Sequence, residues 1–161
     1  MQYASTPGDD SMAFPRFGAR VGVSDRVDVG GWGGVNRNSN WGLVGADAKI
    51  ALLTQASGRP VSVSIRPSVT SLVAPSDVWV GNASLDLSVS RTFGAWSPYV
   101  GGATSASLAL ERSNELDLDP VVADGSVGYT GLAYHWRVLV VAAEVEKGKT
   151  VSYGLRVGTR F

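Results

Sequence analysis

Apolar and polar residues alternate with a period of two along much of this chain. Between Val151 and Phe161, one set of alternate positions is mainly apolar, and the other set consists of Ser, Gly and Arg. The same alternation recurs in the stretches 16–23, 44–52, 61–70, 85–90 and 103–110. A β-strand places successive side chains on opposite faces, so the pattern predicts strands with one apolar and one polar face.

The alternation predicts nine strands, and no long window shows the helical period. Their predicted bounds are Phe14–Ser24, Val27–Gly33, Trp41–Leu53, Val61–Val73, Val78–Arg91, Tyr99–Glu111, Asp124–Trp136, Val138–Glu146 and Val151–Phe161. The connections alternate in length, and the longest, from Arg112 to Ala123, falls in the longer set. Neighbours joined by such connections need no helical crossover, so we predict an antiparallel up-and-down arrangement.

The number of strands is open between eight and ten. A closed barrel of antiparallel strands in one chain normally has an even number. Gln2 to Thr6 would add a short tenth strand, although it is shorter than the ~9–11 residues needed to cross a membrane. Merging or demoting one segment would give eight. Because proline removes a ladder donor, we also expect a bulge or a strand end near Pro67, and Pro15 fits poorly inside a strand.

Composition narrows the class of protein. The chain has 161 residues, 17% of them charged, and a formal net charge of zero. This balance argues against a nucleic-acid partner, which favours a basic patch. The chain has no cysteine, which excludes disulfides and thiolate metal sites. We expect a single domain over residues 1–161, with 1–13 as a short strand or an N-terminal tail.

The C-terminal strand, VSYGLRVGTRF, carries a family resemblance. It resembles the closing strand of bacterial outer-membrane β-barrels, which ends in Phe and is read by the barrel-assembly machinery. The segments GVSDRVDVGG and GLVGADAKIALL are similar to hairpin strands of small barrels of this kind. The resemblance implies an all-β, up-and-down transmembrane barrel in the outer membrane, in contact with lipid bilayer and lipopolysaccharide, with Phe161 as the assembly signal.

Aromatic residues cluster near the predicted strand ends, as the two aromatic girdles of a membrane barrel do. The group near the outer ends comprises Trp32, Trp41, Trp79, Tyr129 and Tyr153. The group near the inner ends comprises Phe93, Trp96, Tyr99, Trp136 and Phe161. Aromatic residues also favour strands and core edges in soluble proteins, which is the alternative explanation of this distribution.

The polar face combines small residues with charges of both signs, which is typical of a narrow lumen. Buried charges are costly unless they are paired, so these side chains predict an ion network inside the barrel. Its predicted members are Arg16, Arg20, Asp47, Lys49, Arg66, Asp86, Glu144, Arg156 and Arg160. The segment from Val138 to Glu146 is less regular, because it puts two glutamates on the same face as valines.

No motif predicts a catalytic centre, a cofactor site or a metal site. His135 is the only histidine, and we expect it at the periplasmic rim. The residues that would have to join it for acyl hydrolysis are Ser126 and Glu144. The longest outer connection is acidic, with Glu111, Glu115, Asp117, Asp119 and Asp124, but the spacing is not that of a calcium loop. Gly30 to Gly34 lacks the Lys-Ser/Thr of a phosphate loop.

We therefore expect a monomeric, non-enzymatic barrel with a side-chain-filled lumen that acts through its outer loops, without cofactor or nucleic acid. Three alternatives remain at this point. They are a narrow pore for small solutes, a lipid-modifying enzyme that uses His135 or Ser126, and a soluble barrel or sandwich that binds an apolar ligand inside. A soluble fold would turn the apolar face inward, so the orientation of the two faces separates it from the others.

Overall fold

The computed structural model describes residues 16–35, 42–73, 78–111 and 121–159 as one antiparallel sheet of nine strands. The strands are β1 (Arg16–Ser24), β2 (Val27–Val35), β3 (Gly42–Leu53), β4 (Ser62–Val73), β5 (Val78–Ser90), β6 (Trp96–Glu111), β7 (Val121–Trp136), β8 (Leu139–Lys147) and β9 (Val151–Thr159). Each strand pairs with its neighbours in sequence, and the sheet curls into a half-barrel. The predicted all-β, up-and-down arrangement is confirmed for these residues.

Tight connections lie at one end of the sheet. Trp136 pairs with Leu139, so β7 and β8 are joined through two residues, the first of which, Arg137, has a φ of 53°. A positive φ at the first turn position matches the twist of the flanking strands in a hairpin. The connection between β3 and β4 is longer and contains a single 3-10 turn, Gln55–Ser57, which ends at Gly58 with a φ of 76°. No helix among the described residues has the length and apolar character to cross a membrane.

The strands are staggered along the sheet. The row of paired residues that starts at Arg16 in β1 runs across the sheet to Val121 in β7. β8 and β9 begin at a different level. The row that contains Lys147 of β8 and Val151 of β9 meets β7 at Gly128, seven residues beyond Val121. The sheet therefore shifts by about one residue per strand, which is the kind of stagger that tilts strands by roughly 35–45° in a barrel.

The two faces of the sheet are opposite in character. The polar side chains lie on the concave face, where Ser64, Asp86, Ser97 and Glu144 are buried. The convex face carries large exposed apolar side chains on strands from β1 to β9. Of the described residues, Ala142 is the only buried apolar one. The sheet thus has no apolar core of its own, and its apolar surface faces outward.

The outer edges of the sheet are β1 and β9, and within the described residues each pairs with a single neighbour. Because nine strands alternate in direction, β1 and β9 run the same way. An all-antiparallel closure between them therefore needs an odd number of further strands. The predicted strand or tail within residues 1–13 lies outside the described residues, as does Pro15.

No strand end lies at Pro67, and the irregularity in the pairing of β3 with β4 falls between Ala51 and Leu53, opposite Ser64 and Val63. Pro67 lies inside β4 and pairs with Leu85 in β5. On the other side of β4, the register is the same at Asp47–Ser68 and at Ile50–Ile65, while no ladder partner is assigned to Pro67 between them. The missing N–H therefore interrupts the ladder with β3 locally without displacing the strand.

Candidate functional site

The concave face encloses a polar trough of about 680 Å³. Its lining reaches from β1 and β2 on one side to β8 and β9 on the other. Between the charged residues, small side chains such as Ser68, Ser84, Ala103 and Ser105 leave the space open. This trough is the candidate functional site, because all three arginine–carboxylate ion pairs of the described sheet line it.

Three arginine–carboxylate pairs join different strands within the trough. Arg20 of β1 pairs with Asp47 of β3. Arg66 of β4 pairs with Asp86 of β5, with 3.2 Å between Nη2 and Oδ2.

The third pair joins Arg156 of β9 to Glu144 of β8, with 2.5 Å between Nη2 and Oε1. Lys49 shares this face and lies directly opposite Asp28 in the ladder between β2 and β3. The structure therefore brings together seven of the nine residues of the predicted ion network. The side chain of Arg16, and Arg160 as a whole, lie outside the described part.

In each pair the carboxylate is more deeply buried than the arginine. The side chains of Asp47, Asp86 and Glu144 are 8%, 7% and 4% exposed. Their partners Arg20, Arg66 and Arg156 are 35%, 32% and 40% exposed. The acids thus lie against the wall of the sheet, and the arginine side chains form the more accessible layer. Charge-assisted hydrogen bonds of this type offset part of the cost of burying a carboxylate.

Hydroxyl pairs link neighbouring strands on the same face. Ser64 and Ser88 are hydrogen-bonded at 2.8 Å between their Oγ atoms, and Ser68 and Ser84 at 2.6 Å. Serine side chains can act as donor and as acceptor, so each satisfies the other where water has limited access. The small polar residues that predicted a lumen therefore also hold β4 to β5.

Two tyrosines cross the floor of the trough between β6 and β7. Tyr99 lies opposite Gly131 in the ladder, and Tyr129 lies opposite Gly101. A Cβ built on either glycine would collide with the opposing tyrosine ring, so each ring occupies the space above a glycine. The two rings meet edge to face with 6.2 Å between their centroids. An aromatic ring over a glycine covers backbone that the glycine leaves bare and helps fix strand register.

The structure divides the predicted girdle residues between the concave and the convex face of the sheet. Trp32 and Tyr99, together with Tyr129, lie on the concave face, so we remove them from the predicted membrane-interface set. The registers place them there: Trp32 opposite Gly18 and Gly45, and the tyrosines in line with Glu144 and Glu146. Their position near strand ends had predicted the membrane interface, whereas the alternation of each strand places them on the polar face. Trp79, Trp96, Trp136 and Tyr153 lie on the convex face, whereas Trp41 and Phe161 lie outside the described residues.

His135 lies at the end of the sheet with the tight connections, in a hydrogen-bonded rim. Its Nε2 is 3.1 Å from Ser97 Oγ, and Ser97 Oγ is 2.9 Å from Thr92 Oγ1. The Thr92 backbone N–H donates to Gln55 Oε1, which ties two connections together. Ser126 lies on the opposite face of the sheet from His135, so the residues that the enzyme alternative would require are not brought together.

The sequence had not singled out Ser97, because nothing local indicates that β6 and β7 bring it to His135. In the described residues no carboxylate is hydrogen-bonded to His135, and no group of three or more His, Asp or Glu residues is arranged to hold a metal. Asp124 lies at the outer end of β7 on the convex face, and Glu115, Asp117 and Asp119 lie outside the described residues.

Two acids of the concave face, Asp28 and Glu146, were not included in the predicted ion network. Asp28 shares its face with Gly22 and Lys49, and Glu146 lines the cavity. The period-two pattern of β2 and β8 carried the signal for both.

No protein-family description matches this sequence, and no curated protein matches it either.

Proposed function

We propose that this protein is a small transmembrane β-barrel of the bacterial outer membrane, with the convex face against lipid and the trough as its lumen. Its role in this proposal is non-enzymatic: the barrel displays its longer connections outside the cell, where they interact with lipopolysaccharide or other partners. The C-terminal resemblance to outer-membrane barrels supports the location, with Phe161 as the contact for the assembly machinery.

One observation carries the proposal: the apolar side chains are on the exposed convex face and the ion pairs are on the concave face. In water, such a sheet would leave its apolar surface exposed and keep the carboxylates of its ion pairs out of solvent. Both are unfavourable, since each Å² of exposed apolar surface costs roughly 25 cal/mol. A lipid environment removes the first cost, and barrels with polar interiors have this arrangement.

Strand length and stagger support the same proposal. A transmembrane strand needs about 9–11 residues when it is tilted. The shortest strands of the sheet, β1, β2, β8 and β9, have nine residues each, and β6 and β7 have 16. The shift of about one residue per strand supplies the tilt. In the proposed barrel the two free edges, β1 and β9, are joined through an odd number of further strands into a continuous wall.

Folding in detergent and in plain buffer tests the proposal. We expect a β-sheet circular dichroism spectrum and a heat-modifiable gel mobility in detergent micelles or lipid vesicles, and aggregation or loss of structure in buffer alone. Protease protection in vesicles adds a second readout, because the strands would be shielded while the long connections are cleaved. A monomeric, folded protein in buffer without detergent would contradict the proposal and favour a soluble binding protein.

A narrow pore is the second candidate, and the open trough favours it. An eight-stranded barrel has an interior just wide enough for side chains to fill, whereas this sheet already has nine strands. Many residues along the trough are Gly, Ala or Ser, which leave about 680 Å³ unfilled. Conductance across a planar lipid bilayer distinguishes a conducting barrel from one whose lumen is blocked.

A further inference from the structure

We infer that the lumen of this barrel binds and conducts small inorganic anions, and that Arg20, Arg66 and Arg156 are the groups that recognise them. This inference rests on the proposed transmembrane barrel and on its candidate pore, and it adds the class of solute. It follows from which partner of each ion pair is accessible in the trough.

The formal charges of the trough nearly cancel, but their accessibility does not. The three carboxylates of the ion pairs are less than a tenth exposed, while the three arginines are about a third or more exposed. A solute in the trough therefore meets guanidinium groups first. A guanidinium has five N–H donors, and the pair with a carboxylate leaves some of them free for a second acceptor.

Arg156 shows such a free donor directly. Its Nη2 donates to Glu144, whereas its Nε is buried without a hydrogen-bond partner. The hydroxyl of Tyr99, on the same face, is also buried and unpaired. The ion pair with Glu144 therefore does not use every hydrogen-bond donor of the Arg156 guanidinium.

The remaining charges on the concave face do not reverse the excess of accessible positive charge. Lys49 adds an exposed cation, while Asp28 and Glu146 are partly exposed acids. Asp28 lies opposite Lys49, which compensates it locally. Glu146 lies opposite Tyr129 and Ser152. Of the two acids Asp28 and Glu146, only Glu146 therefore lacks a cation opposite it in the ladder. Rings of Arg and Lys are the usual device for anion selectivity in narrow pores.

The test is the reversal potential of the protein in a planar bilayer with a potassium chloride gradient. We expect current that prefers chloride over potassium, and a partial block of that current by inorganic phosphate. The preference should weaken as salt concentration rises, because screening shortens the reach of the arginines. Cation preference, or the absence of current at all voltages, would overturn the inference. Either result leaves the proposed barrel itself intact, since its folding is measured separately.

Two variants assign the effect to an exposed guanidinium. Arg66→Gln should shift the reversal potential towards potassium and reduce the phosphate block. Because that change orphans Asp86, the double variant Arg66→Gln/Asp86→Asn removes the pair without leaving a buried charge. It keeps the net charge constant, and we still expect loss of chloride preference, since the accessible partner is gone. An unchanged reversal potential in the folded double variant would contradict the role of Arg66.

Arg26→Gln is the matched control. It makes the same change of side chain in the exposed turn between β1 and β2, away from the trough. We expect no shift in its reversal potential and no change in phosphate block. An equal shift in the control would mean that overall charge, and not the lumen, sets the selectivity, and it would overturn the inference.

Discussion

At the scale of single residues, the unequal burial of the ion pairs matters most. Glu144 is 4% exposed in its side chain, and its partner Arg156 is 40% exposed. Removing the arginine leaves a buried carboxylate without compensation, whereas removing the carboxylate leaves an arginine that water can reach. The two partners of one pair should therefore differ in their contribution to stability.

We expect Arg156→Met to lower the free energy of unfolding by about 3 kcal/mol, near the lower end of the range for an orphaned buried charge. Glu144→Gln should cost about 1 kcal/mol, within the range of an ordinary hydrogen bond. Urea unfolding in lipid vesicles measures both values. The same Arg→Met change at Arg26, in a solvent-exposed turn, is the control and should have little effect. Equal losses for the two partners would contradict the asymmetry.

The glycines beneath the two tyrosines give a second prediction at this scale. Gly131→Ala would place a Cβ against the Tyr99 ring and 2.7 Å from the Ala143 carbonyl oxygen. We expect a loss of about 1–3 kcal/mol in the free energy of unfolding, as overpacking typically causes. Gly125→Ala, in the same strand, is the control, because its nearest contact would be Ser105 Oγ at an ordinary 3.6 Å. Similar stability of the two variants would show that the ring moves aside easily.

At the scale of elements, the strands follow from the local sequence pattern, whereas the turns depend on the backbone conformation of single residues. All nine predicted strands are present, with bounds that differ by up to three residues at their described ends. The period of two identifies a strand because both of its faces have a consistent character over many residues. The pattern says little about where pairing begins or ends. β6 starts earlier than predicted, at Trp96, because Trp96 has a partner in Tyr134.

The turn between β7 and β8 supplies the prediction for this scale. Arg137 holds a φ of 53°, a conformation that costs a non-glycine residue about 1 kcal/mol. We expect Arg137→Gly to raise the free energy of unfolding by up to about 1 kcal/mol, with a smaller gain if the contact of Arg137 with the Trp136 ring contributes. Thermal or urea unfolding checks the sign. Arg26→Gly is the control and should be destabilising, since no positive φ occurs at Arg26.

At the scale of the whole molecule, the outward apolar face is the property that decides the environment of the protein. A charge placed on that face would have to enter lipid in the proposed barrel. A charge placed on the concave face would enter a polar trough. The two positions therefore predict different outcomes for the same substitution.

We expect Leu87→Lys, on the convex face, to lower the free energy of folding in vesicles by up to about 2–4 kcal/mol, the cost of a lysine on the lipid face near the membrane midplane. Ser105→Lys, on the concave face, is the control and should insert with a much smaller penalty. Folding yield in vesicles and urea titration measure both. Equal tolerance of the two lysines would indicate that the convex face does not contact lipid.

The sequence by itself determined the strands, their order along the chain, and the division of each strand into an apolar and a polar face. These are local properties, since they follow from alternation between neighbouring residues. It also identified most of the ion network, because charges confined to one face of several strands have to share a surface.

Only the tertiary structure decided which way that surface faces and which of its charges are accessible. Concavity and pairing depend on register and stagger, which relate residues far apart in the chain. This is why Ser97 of β6 lies beside His135 of β7, a contact that neither strand's pattern predicts. It is also why each carboxylate came to lie beneath its arginine, a relation between strands that no single strand's pattern contains.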